Sequence, residues 1–412
     1  MERDFLNHLG GATKRAGDAT FLRRVNKSAV LELIREQGPM SRSEIARRLR
    51  LSPATITRIV NVLLENGLVL EGAPVLSRYG RRPILLEFNP RASLIIGVYV
   101  HQNMVAALSD LNGEILERRV LPSVAGEEGV ERLIALIKEL HQISKRIGPP
   151  VRGVGIGAPS IVTFEQGTVV WAPTLGWRNL PLKCRLEQAL GLPVFVENEV
   201  NLIALGESWR GAGRGVRNLI CISLGAGIGA GIILNGQLYR GSHDAAGEVG
   251  YMIANQNCLG RVYDTYGCLE SLAGSMSIVQ RAATRLAEGE PSLLMQQAGR
   301  DGPQLTAEMV LSAARQNDYL AQSALNETLD YLSIAIANLV CVLDPDRIVI
   351  SGDLAEFGDL FIEPIRSRLQ GALPHMPDVV LSELKTDAAV LGALAIALFR
   401  TDGGVFLRKT QA

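Results

Sequence analysis

The chain has 412 residues, 47% of them hydrophobic and 20% charged, with a formal net charge of zero. This length predicts two or three domains with sizeable cores. Five scattered cysteines argue against a disulfide framework, the charged N-terminus against a secretory signal, and apolar runs such as 332–343 are too short to cross a bilayer, so we expect a cytoplasmic protein with no membrane partner.

Charge is distributed unevenly along the chain. Residues 1–88 contain 15 Lys and Arg against 9 Asp and Glu, so the remainder carries an acidic excess of six. A small basic head on a larger acidic body is typical of a nucleic-acid-binding module attached to another domain. An excess of six is moderate, and a chance distribution is the alternative.

The chain is expected to begin with a flexible arm over residues 1–20, which are polar and lack periodicity. Apolar residues then recur at helical spacing over 25–34 and predict a helix that ends at Gly38-Pro39.

Two further helices are predicted next. Ser41 and Glu44 form a capping-box signature at the start of one helix, and Ser52 is a natural N-cap for the other, which Gly67 ends. A three-residue turn separates them, which is typical of a helix-turn-helix whose last helix enters the DNA major groove. A three-helix packing unit without a DNA role is the alternative.

Two short apolar strands follow, around the basic tip "SRYGRR" (77–82), as in a wing that contacts the DNA backbone or minor groove. The candidate DNA contacts are Ser41, Arg42, Ser52, Ala54, Thr55, Thr57, Arg58, Arg81 and Arg82. Arg23, Arg24 and Lys27 are further candidates for phosphate contacts.

The body of the chain alternates strands and helices. From residue 94 we expect three meandering strands, the last two joined by an Asn112-Gly113 turn. Further strands are predicted at 151–159, 192–198, 218–241 and 346–353, and helices at 128–147, 199–210, 270–287, 305–316, 319–342, 358–370 and 387–400. This order predicts an α/β protein of two lobes, with ligands at the carboxyl ends of strands.

Five stretches of the body resemble the ROK family of sugar-responsive bacterial repressors and sugar kinases. In order, they are "GVGIGAPSIVTFEQGTVVWAPTLGWRNLPL", "VENEVNLIALGE", "ISLGAGIGAGIILNGQLYRG", "GEVGYM" and "GCLE". The resemblance covers residues 90 to about 400 and implies an actin-like, hexokinase-like α/β body of two lobes. The preceding winged helix-turn-helix, built from helices and a wing, is what distinguishes the repressor branch.

The phosphate-binding features of the family's kinases are altered in this chain. Where those kinases carry Asp-x-Gly-x-Thr, it has the turn 99–103, "YVHQN", without Asp or Gly. Its glycine-rich loop has Ala226 where a hydroxyl residue is usual, and the general base, an Asp in the family, is Glu199. Since phosphoryl transfer depends on positioning and charge neutralisation, we expect no enzymatic activity and no catalytic residues. A sugar kinase with an appended DNA-binding head is the alternative.

Sugar binding makes fewer demands, because it needs only acceptors and donors facing adjacent hydroxyls in a cleft. By resemblance, these come from five residues, with 158–160 and 174–177 lining the same cleft: Asn198, Glu199, Glu248, Tyr251 and Glu270. Glu270 could instead cap a helix, and Glu207 is expected on a helix surface. Xylose, glucose, N-acetylated hexosamines and polyols all remain open as ligands.

The family's zinc site resembles a His, then Cys-x-Cys-Gly, then Gly-Cys-Leu-Glu. Here Tyr251 replaces the histidine and only Cys258 and Cys268 remain, with Asp264 as a further candidate. Since a tyrosine's high pKa disfavours ligation, we predict no metal and no cofactor. An aromatic cluster is expected to hold this loop instead, formed by Tyr251, Val262, Tyr263 and Tyr266.

The sequence therefore predicts a ligand-responsive transcriptional regulator, most simply a repressor of carbohydrate genes. Its partners would be operator double-stranded DNA, a sugar or sugar derivative, and a second copy of the chain in a homodimer or dimer of dimers. A regulator controlled by a protein partner is a third alternative. The expected organisation is an arm (1–20), a winged helix-turn-helix (21–88), a two-lobed ROK body (89–400) and a tail (401–412).

Overall fold

The structure, a computed structural model, describes residues 19–72, 83–263, 266–297 and 305–401. These residues form a small winged-helix head followed by two α/β lobes. The predicted arm up to residue 18, the wing-tip residues 73–82 and the predicted tail beyond 401 lie outside the described residues, as does Asp264.

The head contains three helices and a three-stranded antiparallel sheet of order β1-β3-β2. Its elements are α1 (Ala19–Gln37), β1 (Met40–Ser41), α2 (Arg42–Leu49), α3 (Pro53–Glu65), β2 (Val69–Glu71) and β3 (Leu85–Phe88).

Local sequence signals place the helix ends of the head. The Ser41 hydroxyl accepts from the Glu44 amide at 3.3 Å, and the Ser52 hydroxyl accepts from the Thr55 amide at 3.1 Å. The capping box is only half formed, because the Glu44 carboxylate binds Arg48 instead, at 2.6 Å. Gly67, at φ +66°, follows α3 in the left-handed conformation that the sequence predicted.

The first lobe has a five-stranded sheet of order β11-β7-β4-β5-β6, in which β4, β7 and β11 run parallel. A second, three-stranded sheet of order β10-β9-β8, which the sequence did not predict, lies beside it. The elements are β4 (Leu94–Val100), β5 (Asn103–Asp110), β6 (Ile115–Pro122), α4 (Gly126–Ile147), β7 (Val151–Ala158), β8 (Val162–Thr163), β9 (Thr168–Ala172), β10 (Trp177–Leu180), α5 (Leu182–Leu190) and β11 (Val194–Asn198).

The second lobe has a five-stranded sheet of order β14-β13-β12-β15-β16. Its elements are α6 (Glu199–Arg210), β12 (Leu219–Leu224), β13 (Ile228–Leu234), β14 (Gln237–Tyr239), α7 (Cys268–Ala273), α8 (Ser275–Ala287), α9 (Leu294–Gln297), α10 (Ala307–Arg315), α11 (Tyr319–Leu343), β15 (Arg347–Ser351), α12 (Ile362–Leu369), β16 (Asp378–Leu381) and α13 (Ala388–Arg400). The single helix predicted over 270–287 is thus two helices, because the chain bends at Gly274, where a Cβ would lie 2.7 Å from the Ala226 carbonyl oxygen.

Helix α11 is 25 residues long and apolar enough to span a membrane by length and composition. The apolar run 332–343 is only the second half of this helix. Half of its most apolar window is buried inside the protein, where it packs in the core of the second lobe. It is thus a central helix of a globular lobe.

Helices α6 and α13 pack against each other at the centre of the molecule. A Cβ at Gly206 would lie 2.2 Å from the Ala388 carbonyl oxygen, and one at Gly392 would lie 1.9 Å from the Leu202 carbonyl oxygen. Only glycine allows two helix backbones to approach this closely. Since α6 follows β11 of the first lobe and also packs against β13 of the second, this helix pair joins the lobes.

The head shares a hydrophobic core with the body. One continuous buried cluster contains Val30 and Leu31 of α1, Ile56 and Val60 of α3, and residues of β4, β5, α6 and α13. The connection is short and bonded at both ends, as the Asn89 side chain donates to the Gly67 carbonyl at 2.9 Å and the Leu111 amide to the Pro90 carbonyl at 3.0 Å. The head is therefore packed on the body rather than tethered to it.

Candidate functional site

The carboxylate of Glu199 lies half-buried at the first position of α6. The Tyr99 hydroxyl, at the end of β4, donates to its Oε2 at 2.9 Å. Burial raises the pKa of Glu199, opposed by the electrostatic interaction with His101 and by the Tyr99 hydrogen bond. Burial also raises the pKa of Tyr99, as does the neighbouring Glu199 carboxylate. This acid is therefore occupied by a protein partner.

Two aromatic side chains lie together at the end of β4 and in the turn that follows. The rings of Tyr99 and His101 are stacked, with centroids 6.0 Å apart and planes within 6°. Asp353 lies just after β15, and its negative charge raises the pKa of both Glu199 and Tyr99. Asp353 was not predicted as a site residue. The sequence signal for it was an acid directly after a buried strand, in "ISGD".

Asn198, the last residue of β11, is largely used by the protein itself. Its Oδ1 accepts from the amides of Val200 and Asn201 at 2.8 and 3.3 Å, which caps α6. Its Nδ2 donates to the Ser160 carbonyl at 3.0 Å, which ties the cap to the predicted cleft segment 158–160. One amide hydrogen remains for a ligand.

Glu197 forms a buried ion pair that the sequence analysis also missed. Its side chain is 2% exposed, and Oε2 accepts from Arg240 Nε at 2.8 Å. The Arg240 guanidinium also lies 3.7 Å from the ring centroid of Phe164. Because Glu197 belongs to β11 and Arg240 follows β14, this pair connects the two lobes. The sequence signal for Glu197 was an acid within the apolar strand 194–198.

Glu270 and Glu248 lie close enough in the second lobe to interact electrostatically. Glu270 accepts from the Gly267 amide at 2.6 Å and from the Ile228 amide at 2.9 Å, so it caps α7, as considered above, and also fixes the start of β13. The Glu248 carboxylate has no hydrogen-bond or ion-pair partner within the described ranges, although its backbone bonds to Ala245 and Tyr251. Burial and the Glu270 charge raise its pKa. Glu248 is thus the acid with the most free acceptor capacity.

The packing of glycines brings these segments together. A Cβ at Gly250 would lie 2.4 Å from Glu270 Cδ, so the "GEVG" turn presses directly on that carboxylate. A Cβ at Gly229 would lie 3.0 Å from Val200 Cγ2, so β13 runs over the start of α6, next to Glu199. Tyr251 is 58% exposed and lies at the rim. The five predicted ligand residues therefore lie on adjoining segments.

Glu207 is a structural acid. It was expected on a helix surface, but its side chain is fully buried, and that expectation was wrong. Its carboxylate accepts from the amides of Ala212 at 2.8 Å and Leu384 at 3.1 Å and from the Ser382 hydroxyl. Those three donors offset the cost of burying the charge.

Cys258 and Cys268 are both buried, and the interaction with the Tyr263 hydroxyl lowers the pKa of Cys258. The Cys258 thiol donates to Asn255 Oδ1 at 3.5 Å, and the Cys268 sulfur accepts from the Ala254 amide at 3.4 Å. No group of three or more His, Cys, Asp and Glu that could hold a metal occurs among the described residues. This donor set does not fit tetrahedral zinc, which needs four strong ligands.

The predicted aromatic cluster in this loop is wrong for three of its four members. Val262 is 86% exposed, and Tyr251 and Tyr266 are also exposed, so these side chains do not pack as a core. Only Tyr263 takes the expected place, through its hydroxyl rather than through apolar packing.

In the head, the start of α3 presents the predicted DNA-contacting side chains. Ser52, Ala54, Thr57 and Arg58 are exposed, and Thr55 is half-buried. Thr57 donates to the Pro53 carbonyl at 2.9 Å.

Other predicted DNA contacts are engaged elsewhere or lie outside the described residues. Ser41 caps α2, and Arg42 is paired with Glu71 at 2.9 Å. Lys27 is half-buried, and burial and the positive Arg152 of the body lower its pKa, so it faces the body. The described residues exclude Arg81 and Arg82, and nothing is described of the Arg24 side chain.

Comparison with known proteins gives two family matches. Residues 96–400 match the model of the ROK family, and residues 26–70 match that of the MarR family.

The similar proteins include both a repressor and a sugar kinase. A xylose repressor of Caldicellulosiruptor bescii is 32% identical over 395 residues, covering 93% of this chain and 97% of its own. A glucokinase of Halalkalibacterium halodurans is 38% identical over 298 residues, covering 68% of this chain and 87% of its own. Among solved structures, a ROK family transcriptional regulator, homolog of the E. coli MLC protein, superposes with a TM-score of 0.82 at 28% identity, over 94% of this chain and 99% of its own. The match to regulators thus extends over the head, and the match to the glucokinase does not.

Proposed function

The chain belongs to the ROK family, and from that premise we propose that it is a sugar-responsive DNA-binding repressor of carbohydrate genes. Its winged-helix head binds operator DNA, and its body binds a sugar in the cleft around Glu199, Glu248 and Glu270. Xylose is the first ligand to test, because a relative named as a xylose repressor matches both the head and the body.

The hydrogen bond between Tyr99 and Glu199 is the observation that carries this proposal. It joins two departures from the kinase pattern, one in the phosphate turn and one at the general base, in a single half-buried contact. A base must lie within hydrogen-bond reach of the proton that it removes, and Oε2 of Glu199 already has the Tyr99 hydroxyl at that distance. This arrangement suits ligand binding better than phosphoryl transfer.

The sugar contacts are assigned by free hydrogen-bonding capacity. Among the described residues the Glu248 carboxylate has no partner, and Glu270 keeps lone pairs beyond the two amides from which it accepts. Asn198 offers one amide hydrogen, and Tyr251 offers an exposed ring at the rim. A sugar with adjacent hydroxyls bridges these groups from both lobes.

Helix α6 connects the cleft to the head. It begins with Glu199 in the cleft and ends at Arg210, after Trp209, which belongs to the buried cluster shared with α1 and α3. A sugar hydroxyl that competes with Tyr99 for Glu199 favours a different position of α6, and a ligand shifts an equilibrium by its difference in affinity for the two states. We infer that sugar binding lowers operator affinity by this route.

The second candidate function is an ATP-dependent sugar kinase. The glucokinase relative favours it, together with the retained glycine-rich loop at 224–231. The stacked rings of Tyr99 and His101 argue against a kinase, because a phosphate needs close approach to the backbone amides of this turn. A coupled assay with glucose and xylose tests it, and turnover that disappears in Glu199→Ala would favour the kinase.

The proposed oligomeric state rests on the spacing of major grooves in DNA. Winged heads read successive major grooves as a pair, so we propose a homodimer in the cytoplasm on a two-fold operator, with two dimers as a further possibility. A gel-shift assay with operator duplexes selected from a random pool, repeated with a panel of sugars, tests the whole proposal. Release by one sugar supports it, and insensitivity to every sugar contradicts it.

A further inference from the structure

A cavity of about 840 Å³ lies between the head and the body, away from the sugar cleft. The last turn of α1 lines one side, the β5–β6 turn at Asn112 and Gly113 another, and the end of α6 with the following loop, up to Arg217, a third. Its size falls in the range of small-molecule sites, about 300–1,000 Å³.

One wall of this cavity is basic. Arg210, Arg214 and Arg217 lie along one segment, and in the described part of the chain none of the three has a carboxylate within 4.0 Å. Arg35 lines the cavity from the head and is paired with Glu32 at 2.7 Å. The positive charges of Arg35 and Arg214, added to burial, lower the pKa of Arg210, so these cations are close enough to repel one another.

A purely structural role explains only one of the three arginines. Arg210 ends α6, where a cation favours the helix dipole, and its guanidinium lies 5.0 Å from the Trp209 ring centroid. Arg214 and Arg217 lie beyond the helix and are exposed. Glu36 and Glu114 also line the cavity and form no ion pair with these arginines in the described ranges.

We propose that this cavity is a second ligand site, which takes the phosphate group of a small metabolite between Arg210, Arg214 and Arg217. Guanidinium groups form short, charge-assisted hydrogen bonds with phosphate oxygens. A DNA backbone is a poorer fit, because the site is concave and Trp209, which lines it, is only 8% exposed.

A ligand in this site touches head and body at once. Arg35 and Gln37 belong to α1 of the head, whereas Arg214 belongs to the body. Occupation of the cavity therefore fixes the head relative to the body and changes operator affinity through a coupling that is separate from the sugar cleft.

Isothermal titration of the full chain with glucose 6-phosphate, inorganic phosphate and glucose tests this proposal. We expect saturable binding of glucose 6-phosphate, weakened about tenfold or more in the double variant R214Q/R217Q, which loses two charge-assisted contacts. The matched control is R146Q, an exposed arginine at the end of α4, which should bind like the parent chain. Binding of inorganic phosphate with similar affinity would identify the free ion as the ligand.

Three results would overturn the proposal. One is equal binding by R214Q/R217Q and R146Q. Another is loss of binding in Glu248→Gln alone, which would place the phosphosugar in the sugar cleft. The third is no binding of any phosphate probe at millimolar concentration, with weaker operator binding by R214Q/R217Q, which would assign these arginines to DNA.

Discussion

The Tyr99 hydroxyl donates a 2.9 Å hydrogen bond to Oε2 of Glu199, across 100 positions of sequence. By the family resemblance, Tyr99 corresponds to the aspartate of the kinases' phosphate turn, and Glu199 to their general base. In this chain the phenol satisfies a half-buried carboxylate that would otherwise lack this donor.

We expect Tyr99→Phe to destabilise the protein, because it leaves the half-buried Glu199 carboxylate one donor short. The free energy of unfolding should fall by about 1–3 kcal/mol. Urea unfolding measures this, with Tyr239→Phe, at a 49% exposed tyrosine, as the control. Equal stability of the two variants would mean that the hydrogen bond contributes nothing.

Glu248→Gln should stabilise the folded protein near neutral pH and weaken its binding of sugar. The pKa of Glu248 is raised by burial and by Glu270, so the folded state holds this proton more tightly than the unfolded chain does. Ionisation of Glu248 therefore destabilises the folded state as pH rises above the pKa of the unfolded chain, about 4.3. Below that pH the residue is protonated in both states and has no such effect. The variant should match the parent near pH 4 and melt higher near pH 7, while binding sugar about tenfold or more weakly.

Thermal unfolding at both pH values and sugar titration check these expectations. A variant that melts lower than the parent at pH 7 would contradict the proposed repulsion between Glu248 and Glu270.

Gly113, in the turn that contacts Trp209, and Gly236, in a different turn, offer a matched pair of glycine substitutions. Gly113 has φ +79°, and a Cβ there would lie 2.3 Å from Trp209 Cη2, whereas Gly236 has φ +77° and open space around it. Gly236→Ala should cost about 1 kcal/mol of stability from backbone strain. Gly113→Ala should cost more and also change operator affinity, because Trp209 lies in the core shared with the head. Equal effects of the two changes would show that the contact with Trp209 is unimportant.

Arg58→Gln should weaken operator binding. Arg58 is exposed on α3 and has no carboxylate within 4.0 Å among the described residues, so its charge is available to DNA. We expect a loss of about tenfold and, if Arg58 contacts a phosphate, a salt dependence lower by about one counterion. Fluorescence anisotropy at several salt concentrations measures both, with Arg146→Gln as the control; equal affinity would remove Arg58 from the interface.

Local signals in the sequence predicted much of the fold. The N-caps at Ser41 and Ser52 and the left-handed Gly67 define the helix-turn-helix from a few neighbouring residues. The Asn112-Gly113 turn likewise joins β5 and β6 as expected. These features depend on contacts within a few positions, which is why they are visible in the sequence.

Contacts between distant segments were not predictable in this way. The changes at Tyr99 and Glu199 were each visible as departures from the family pattern, but not their hydrogen bond. Glu207 looked like a surface acid because its donors at Ser382 and Leu384 come from 175 and 177 positions away. The Glu197–Arg240 pair was missed for the same reason, since it forms only when the two lobes meet.

The most direct test of the central proposal is a titration of the operator complex with xylose and other sugars, followed by fluorescence anisotropy, on the parent chain and on Glu248→Gln. We predict that one sugar releases the parent from its operator, while Glu248→Gln binds the same operator equally well and needs a much higher sugar concentration for release. Release at the same concentration in both proteins, or no release by any sugar from either, would contradict a sugar site at Glu248 coupled to the DNA-binding head.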